Sequence, residues 1–163
     1  MIKKEEDELE IFAKAHADSF TQLSELEGII IRGHILVERS INKAIEHTVI
    51  NKEDYKSDRF TFSQKVIISN MFGLSSHFKL EINALNKLRN QIAHTLEYDV
   101  KYVDLIINEI HKKEPKYINL EDNKIKSLGK AISFMCGAIF VSHKDFKFKI
   151  IVQHIENTIK KNT

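Results

Sequence analysis

The sequence predicts an all-α protein, an up-and-down bundle of about six or seven helices. The chain of 163 residues contains one proline and five glycines, so long helices with short connections are expected. Apolar residues recur every three or four positions along most of the chain, which is the period of one buried helix face. No internal repeat or linker interrupts the pattern, so residues 1–163 are interpreted as a single helical domain.

The first two predicted helices occupy the N-terminal third of the chain. Residues 3–22 are predicted to form the first helix, with an apolar face that includes Leu9, Phe12 and Phe20. A capping box of Ser24 with Glu27 predicts a second helix from there to about Ile50. Its apolar residues cover more than one side, so it is predicted to be central or to lie at a subunit contact. Within it, Gly33 would allow close approach of another backbone, and a buried Arg32 would need a partner.

The next two predicted helices follow a polar loop. The segment 61–64 (Thr-Phe-Ser-Gln) is a second capping box and predicts a short helix that ends at Gly73. Ser75 or Ser76 is then expected to cap a longer helix that runs to about Tyr98.

Three further helices are predicted in the C-terminal part. One begins near Asp99, reaches about Lys113 and is stopped by Pro115. A second begins within the segment 119–122. A break at Ser142 and Asp145 is predicted to start a last helix that runs to about Lys160.

Composition limits the functional classes. A net charge of +2, from 25 basic and 23 acidic residues, gives no general attraction to nucleic acid but leaves room for a local basic patch. Cys136 is the only cysteine, so an intrachain disulfide is excluded and a reducing compartment is favoured. The N-terminus has no apolar signal segment, and no apolar run approaches the roughly 20 residues of a membrane span. A cytoplasmic protein with no membrane partner is therefore expected.

The segment 85–94 has the strongest functional pattern. Apolar residues at three- and four-residue steps predict one buried stripe, while Arg89, Asn90 and His94 lie off it. At about 100° per residue, Asn86, Asn90 and His94 share one side of the helix, and Arg89 is about 140° from His94.

These residue types suit attack of an RNA 2′-hydroxyl on the adjacent phosphate. Histidine exchanges a proton near neutral pH, and arginine holds phosphate oxygens and the charge that develops on them. His94 would be the base or acid, Arg89 would stabilise the phosphoryl oxygens, and Asn90 would orient the phosphate or the histidine. This chemistry needs no metal and no cofactor.

Two other interpretations of the residues remain open. Arg89 could belong to a structural cluster in which it pairs with Glu38 or Glu97. Arg32 and His34 in the second helix could instead bind a nucleotide or another small ligand. The sequence has no glycine-rich phosphate loop, no cluster of histidines and cysteines at metal-ligand spacing and no nucleophile elbow.

The segment from Arg89 to His94 resembles the Arg-x4–6-His signature of the HEPN superfamily, including its polar residue after the arginine. Three segments in the same order, 32–38, 62–74 and 88–94, resemble the mannitol-repressor-like branch. The resemblance covers roughly residues 25–98. It departs from the toxin-type HEPN pattern at Leu96, where a tyrosine is common.

The resemblance implies a helical bundle that dimerises so that two Arg/His motifs face each other. Arg32, Glu38 and Asn86 are expected to support the motif. It implies a metal-independent endoribonuclease, of the toxin or phage-defence kind, that acts on RNA and has an antitoxin or regulatory protein as a possible partner. The alternative that it implies is a noncatalytic dimeric transcriptional regulator or protein-interaction module.

Overall fold

The protein is described by a computed structural model that covers residues 24–95 and 97–161, with side chains as far as Lys144. Every regular element in these residues is a helix, so the all-α prediction is confirmed for them. The predicted helix at 3–22 lies outside the described residues. The elements are α1 (Glu25–Thr48), α2 (Phe62–Met71), α3 (Lys79–Thr95), α4 (Lys101–Lys113) and α5 (Lys124–Lys161), with short 3₁₀ turns at Ser57–Arg59 and Ser76–Phe78.

Both predicted capping boxes are present. The Ser24 hydroxyl accepts a hydrogen bond from the Glu27 amide at 3.3 Å, and the Glu27 carboxylate accepts one from the Ser24 amide at 2.6 Å. Thr61 and Gln64 make the same reciprocal pair at 3.3 and 2.9 Å. Gly73 follows α2 with a φ of 70°, the left-handed conformation that favours glycine after a helix. These local signals determine where α1 and α2 begin.

Replacing Thr61 with alanine is expected to lower the free energy of unfolding by about 1 kcal/mol, because an amide at the start of α2 loses its acceptor. The matched control is Ser133→Ala, a serine exposed in the middle of α5, for which a change within about 0.5 kcal/mol is expected. The two effects are compared from urea unfolding midpoints. Equal shifts in both variants would show that the Thr61 cap contributes nothing.

The prediction that Ser75 or Ser76 caps the motif helix is wrong. Ser75 instead donates a hydrogen bond to Asn70 and accepts one from Ser69, each at 2.8 Å. These bonds hold the turn between α2 and α3, and a 3₁₀ turn precedes the start of α3 at Lys79. The helix also ends at Thr95, earlier than predicted.

The starts of α4 and α5 lie two or more residues later than predicted. Asp99 accepts a hydrogen bond from the Lys101 amide at 3.0 Å, but it precedes the helix by two residues. The segment 119–122 is a loop, and Asn123 accepts from the Lys126 amide at 2.8 Å. Asn123 is therefore the residue that caps the start of α5.

The predicted break at Ser142 is also wrong, because α5 continues to Lys161. The Ser142 hydroxyl donates to the carbonyl of Ile139 at 2.6 Å, one turn back, as serine does inside a helix. A serine with an acidic residue three positions later caps a helix only where the backbone before the serine is not helical. No glycine or proline forces it to do so at this position.

The core is organised around α1, which packs most extensively on α5 and also contacts α2 and α3. Gly33 makes this packing possible, since a Cβ at this position would overlap the side chain of Ile132. Arg32 is exposed, so it does not need the buried partner that was predicted. Fully buried side chains from four helices fill the centre, namely Ile30, Ile41, Ile45, Ile82, Leu85, Leu88, Ile106, Ile110, Leu128, Met135 and Ile139.

The segment Lys124–Lys144 of α5 is long and apolar enough to cross a membrane by length and composition, which the sequence interpretation did not expect. Its fully buried residues, such as Leu128 and Met135, belong to the same core as those of α1. The core helix of a packed bundle also meets these criteria of length and composition.

Candidate functional site

Helix α3 separates its apolar residues from its predicted site residues. Leu85, Leu88 and Ile92 are buried in the core, as predicted. Arg89 and His94 are exposed, and Asn90 is half-buried beside them. The predicted functional side chains are therefore open to solvent within the described part of the chain.

Arg89 is held by its neighbour and not by a carboxylate. Its Nη1 donates a hydrogen bond to Oδ1 of Asn90 at 3.1 Å. The structural alternative offered a pairing of Arg89 with Glu38 or Glu97 as an example, and no ion pair between Arg89 and a carboxylate occurs among the described residues. A guanidinium carries five N–H donors, so this single bond leaves most of them available for an anion.

Glu38 forms an ion pair with Lys65, in which Nζ lies 2.6 Å from Oε1. The Lys65 side chain is only 7% exposed, so the carboxylate compensates a nearly buried charge. Lys65 was missed in the sequence. The capping box at Thr61 predicts a helix that begins at Phe62, however, and on such a helix Lys65 lies on the same face as Phe62 and Val66. A lysine on that apolar face would have required an acidic partner.

His34 is buried at the junction of α1, α2 and α3. Its ring centroid lies 4.1 Å from that of Phe62, and its Nε2 lies 3.2 Å from Oδ1 of Asn86. Because the partner atom is a carbonyl oxygen, Nε2 carries the proton and donates it. The position of the Asn86 amide therefore depends on His34. The sequence had pointed to His34 only as a possible ligand-binding residue.

Burial lowers the pKa of His34 below its ordinary value of 6.5. The Asn86 hydrogen bond and the carboxylate of Glu38 oppose this change, and the positive charge of Arg89 adds to it. At neutral pH the imidazole is therefore uncharged, and its role is to hold the Asn86 amide in one orientation.

The stability of the protein is expected to fall as the pH is lowered below 6.5, because His34 is protonated more readily in the unfolded chain than in the folded one. The stabilisation from the neutral imidazole is complete at pH values above the pKa of His34 in the unfolded chain. It is lost as the pH falls toward the lower pKa of His34 in the folded protein. His34→Gln, which retains an N–H donor for Asn86, should show a shallower decline between about pH 7 and 5. Denaturant unfolding at a series of pH values measures this decline, and parallel curves would contradict the assignment.

His94 lies in the last turn of α3, exposed and without a hydrogen bond or ion pair to any described residue. Arg89 and His94 are separated by about 7.5 Å along the helix axis and about 140° around it. One chain therefore presents them on different sides of the same helix. Arg32, a predicted support, likewise makes no polar contact with the site in the described residues.

A line of polar residues extends the site along α3. Lys79, Asn83, Asn86 and Asn90 follow at steps of four, three and four, and His94 continues the same side. Between this line and α2 lies a depression of about 220 Å³, here called the amide groove, lined by Phe62, Ser63, Val66, Ile67, Asn70, Lys79, Asn83 and Asn86. A larger cavity of about 810 Å³ lies between the turn after α2 and α5, and no predicted site residue lines it.

Metal-ligating side chains do not cluster in the described residues. No group of three or more histidine, cysteine or acidic side chains lies there in an arrangement that could hold a metal ion.

Comparison with known proteins assigns no family. No protein-family model, no curated protein and no solved structure matches the chain. The resemblance to the HEPN superfamily consequently depends on the segments 32–38, 62–74 and 88–94 alone.

Proposed function

We propose that this protein is a HEPN-type, metal-independent endoribonuclease that acts as a homodimer, in the manner of a toxin or phage-defence nuclease. The observation that supports this most strongly is the state of Arg89. It is exposed, bonded only to the neutral amide of Asn90, and located on the same helix as an exposed, unpaired His94 within the described residues. A cation kept free of carboxylates is suited to a phosphate ligand, and an exposed histidine is suited to proton transfer.

In the proposed reaction, His94 removes the proton of an RNA 2′-hydroxyl. The O2′ atom forms a bond to the adjacent phosphorus, the bond from phosphorus to the 5′-oxygen breaks, and that oxygen takes up a proton from water. The products are a 2′,3′-cyclic phosphate and a 5′-hydroxyl. Arg89 stabilises the charge on the phosphoryl oxygens, and Asn90 keeps the guanidinium oriented.

A second copy of the chain explains how Arg89 and His94 act on one phosphate. The two side chains diverge by about 140° on one helix, whereas a two-fold axis brings Arg89 of one copy toward His94 of the other. Ile35 and Leu36 on α1, which are 52% and 49% exposed, supply apolar surface for such a contact.

The proposal is tested by incubating the purified protein with single-stranded RNA in EDTA and analysing the new ends. Cleavage that survives the chelator and leaves 2′,3′-cyclic phosphates is expected, from a protein whose mass in solution is that of a dimer. Absence of cleavage, or its loss in EDTA, would overturn the proposal.

A second candidate is a noncatalytic dimeric regulator or protein-interaction module, as in the mannitol-repressor-like branch. It is favoured by the same exposed Ile35 and Leu36, which Arg32 and Arg39 flank on the exposed side of α1. An apolar patch rimmed by charges is typical of protein contacts. Leu36→Asp should yield a monomer under either proposal, while only the nuclease would also lose RNA cleavage with its dimer.

A further inference from the structure

The amide groove is lined on one side by α2 and on the other by α3, and it presents hydrogen-bond donors. Asn70 uses its Oδ1 to accept from the hydroxyl of Ser75 at 2.8 Å. Asn86 uses its Oδ1 to accept from Nε2 of His34 at 3.2 Å. In both side chains the NH₂ group is the end left for a ligand, because the oxygen already has its partner within the described residues.

Two further groups in the groove add to this donor character. The Lys79 ammonium is a donor only and forms no ion pair among the described residues. Asn83 is exposed, makes no hydrogen bond to a described residue and can turn its amide toward a ligand. The groove contains no carboxylate that would compete for these donors. Its preferred ligand is therefore a polar group rich in acceptors.

The size and walls of the groove suit one planar ring system. Its volume of about 220 Å³ is below the roughly 300–1,000 Å³ of pockets for drug-sized molecules. Phe62 and Ile67 provide aromatic and apolar surface, on which a nucleic-acid base can stack without regard to its identity. The donors along the edge would then distinguish one base from another.

The groove is also in line with the proposed cleavage site. Asn86 precedes Arg89 by three residues, and Asn83 lies about 10 Å along the helix axis from Asn90. A strand with one phosphate at Arg89 can thus place a neighbouring base between α2 and α3.

We propose that the amide groove binds the base next to the cleaved phosphate and selects guanine or uracil, which have a carbonyl oxygen at O6 or O4, over adenine, which has an amino group at N6. Guanine offers O6 and N7 as acceptors and uracil offers O4, whereas adenine presents an amino donor that would oppose the groove's own donors. This inference rests on the proposed nuclease function and adds a base preference to it.

The test compares wild type with Asn83→Ala, and Asn108→Ala serves as the matched control. Asn108 is an exposed asparagine on α4, outside the groove. Each protein cuts an RNA with randomised sequence, and the ends are sequenced. Wild type and Asn108→Ala are expected to favour guanine or uracil beside the cut over adenine by about tenfold, and Asn83→Ala is expected to lose most of that ratio. A wild-type preference for adenine, no preference, or an unchanged ratio in Asn83→Ala would overturn the inference and leave the nuclease proposal standing.

A binding measurement separates the two proposals if no RNA is cut. Fluorescence anisotropy with labelled oligouridylate, oligoguanylate and oligoadenylate reports base preference without cleavage. Tighter binding of the first two that is lost in Asn83→Ala would support the base site while the nuclease proposal failed. Equal affinity for all three, or no binding to any, would overturn the base site itself.

Discussion

Replacing His94 with alanine should reduce the rate of RNA cleavage by about 100-fold or more and leave the fold unchanged. The loss is expected because a general base contributes roughly 10²–10⁴-fold to such a reaction. The fold should survive because the His94 side chain is exposed and has no polar partner among the described residues. Cleavage is measured as initial rates on one RNA substrate, and the fold by circular dichroism and thermal unfolding.

His77→Ala is the control for this variant, since His77 is also an exposed histidine and lies outside the site. Arg89→Lys is a second comparison. It keeps a positive charge and loses the planar fork that binds two phosphate oxygens at once, so an intermediate loss of rate is expected. Wild-type activity in His94→Ala would contradict the assigned role.

The arrangement across two subunits can be tested by pairing His94→Ala with a further variant, Arg89→Ala. If Arg89 of one subunit acts with His94 of the other, a dimer that combines Arg89→Ala with His94→Ala retains one complete site. Mixing the two inactive proteins after dissociation should then restore about a quarter of the wild-type activity, because half of the dimers are mixed and each has one working site. No recovery would place both residues of a site in the same chain.

Replacing Lys113 with methionine is expected to lower the free energy of unfolding by about 3 kcal/mol. Glu81 has no solvent exposure, and Lys113 pairs with its Oε1 while Oε2 has no hydrogen-bond partner among the described residues. Removal of Lys113 leaves the carboxylate buried without a counter-charge. Such a group is costly in an apolar environment.

A double variant shows whether the cost arises from the unpaired charge. Glu81→Gln combined with Lys113→Met should recover much of the stability lost in Lys113→Met, because the buried group is then neutral. Lys112→Met is the control, since Lys112 pairs with Glu109 at the surface and is 69% exposed. Its effect should stay within about 0.5 kcal/mol. Equal effects of Lys112→Met and Lys113→Met in urea unfolding would contradict the buried-charge explanation.

Signals within a few residues of each other predicted where α1 and α2 begin and which side of α3 is buried. The capping boxes at Ser24 and Thr61, the left-handed Gly73 and the buried stripe through Leu88 are all present. Each depends on hydrogen bonds or periodicity inside one element, and a linear chain displays these directly. The same local reasoning failed at Ser142. A serine with an acidic residue three positions later also occurs inside helices, where tertiary packing keeps the helix continuous.

Local patterns in the sequence predict that the chain is helical, where α1 and α2 begin, and that Arg89, Asn90 and His94 lie off the buried face of one helix. Three features become visible once the helices are packed: Glu38 pairs with Lys65, Arg89 has no carboxylate partner in the described residues, and His34 orients Asn86 at the amide groove. Those contacts join residues 27 and 52 positions apart. Which helices meet is decided by the burial of their apolar faces, and the polar side chains beside those faces take the partners that this packing brings within reach.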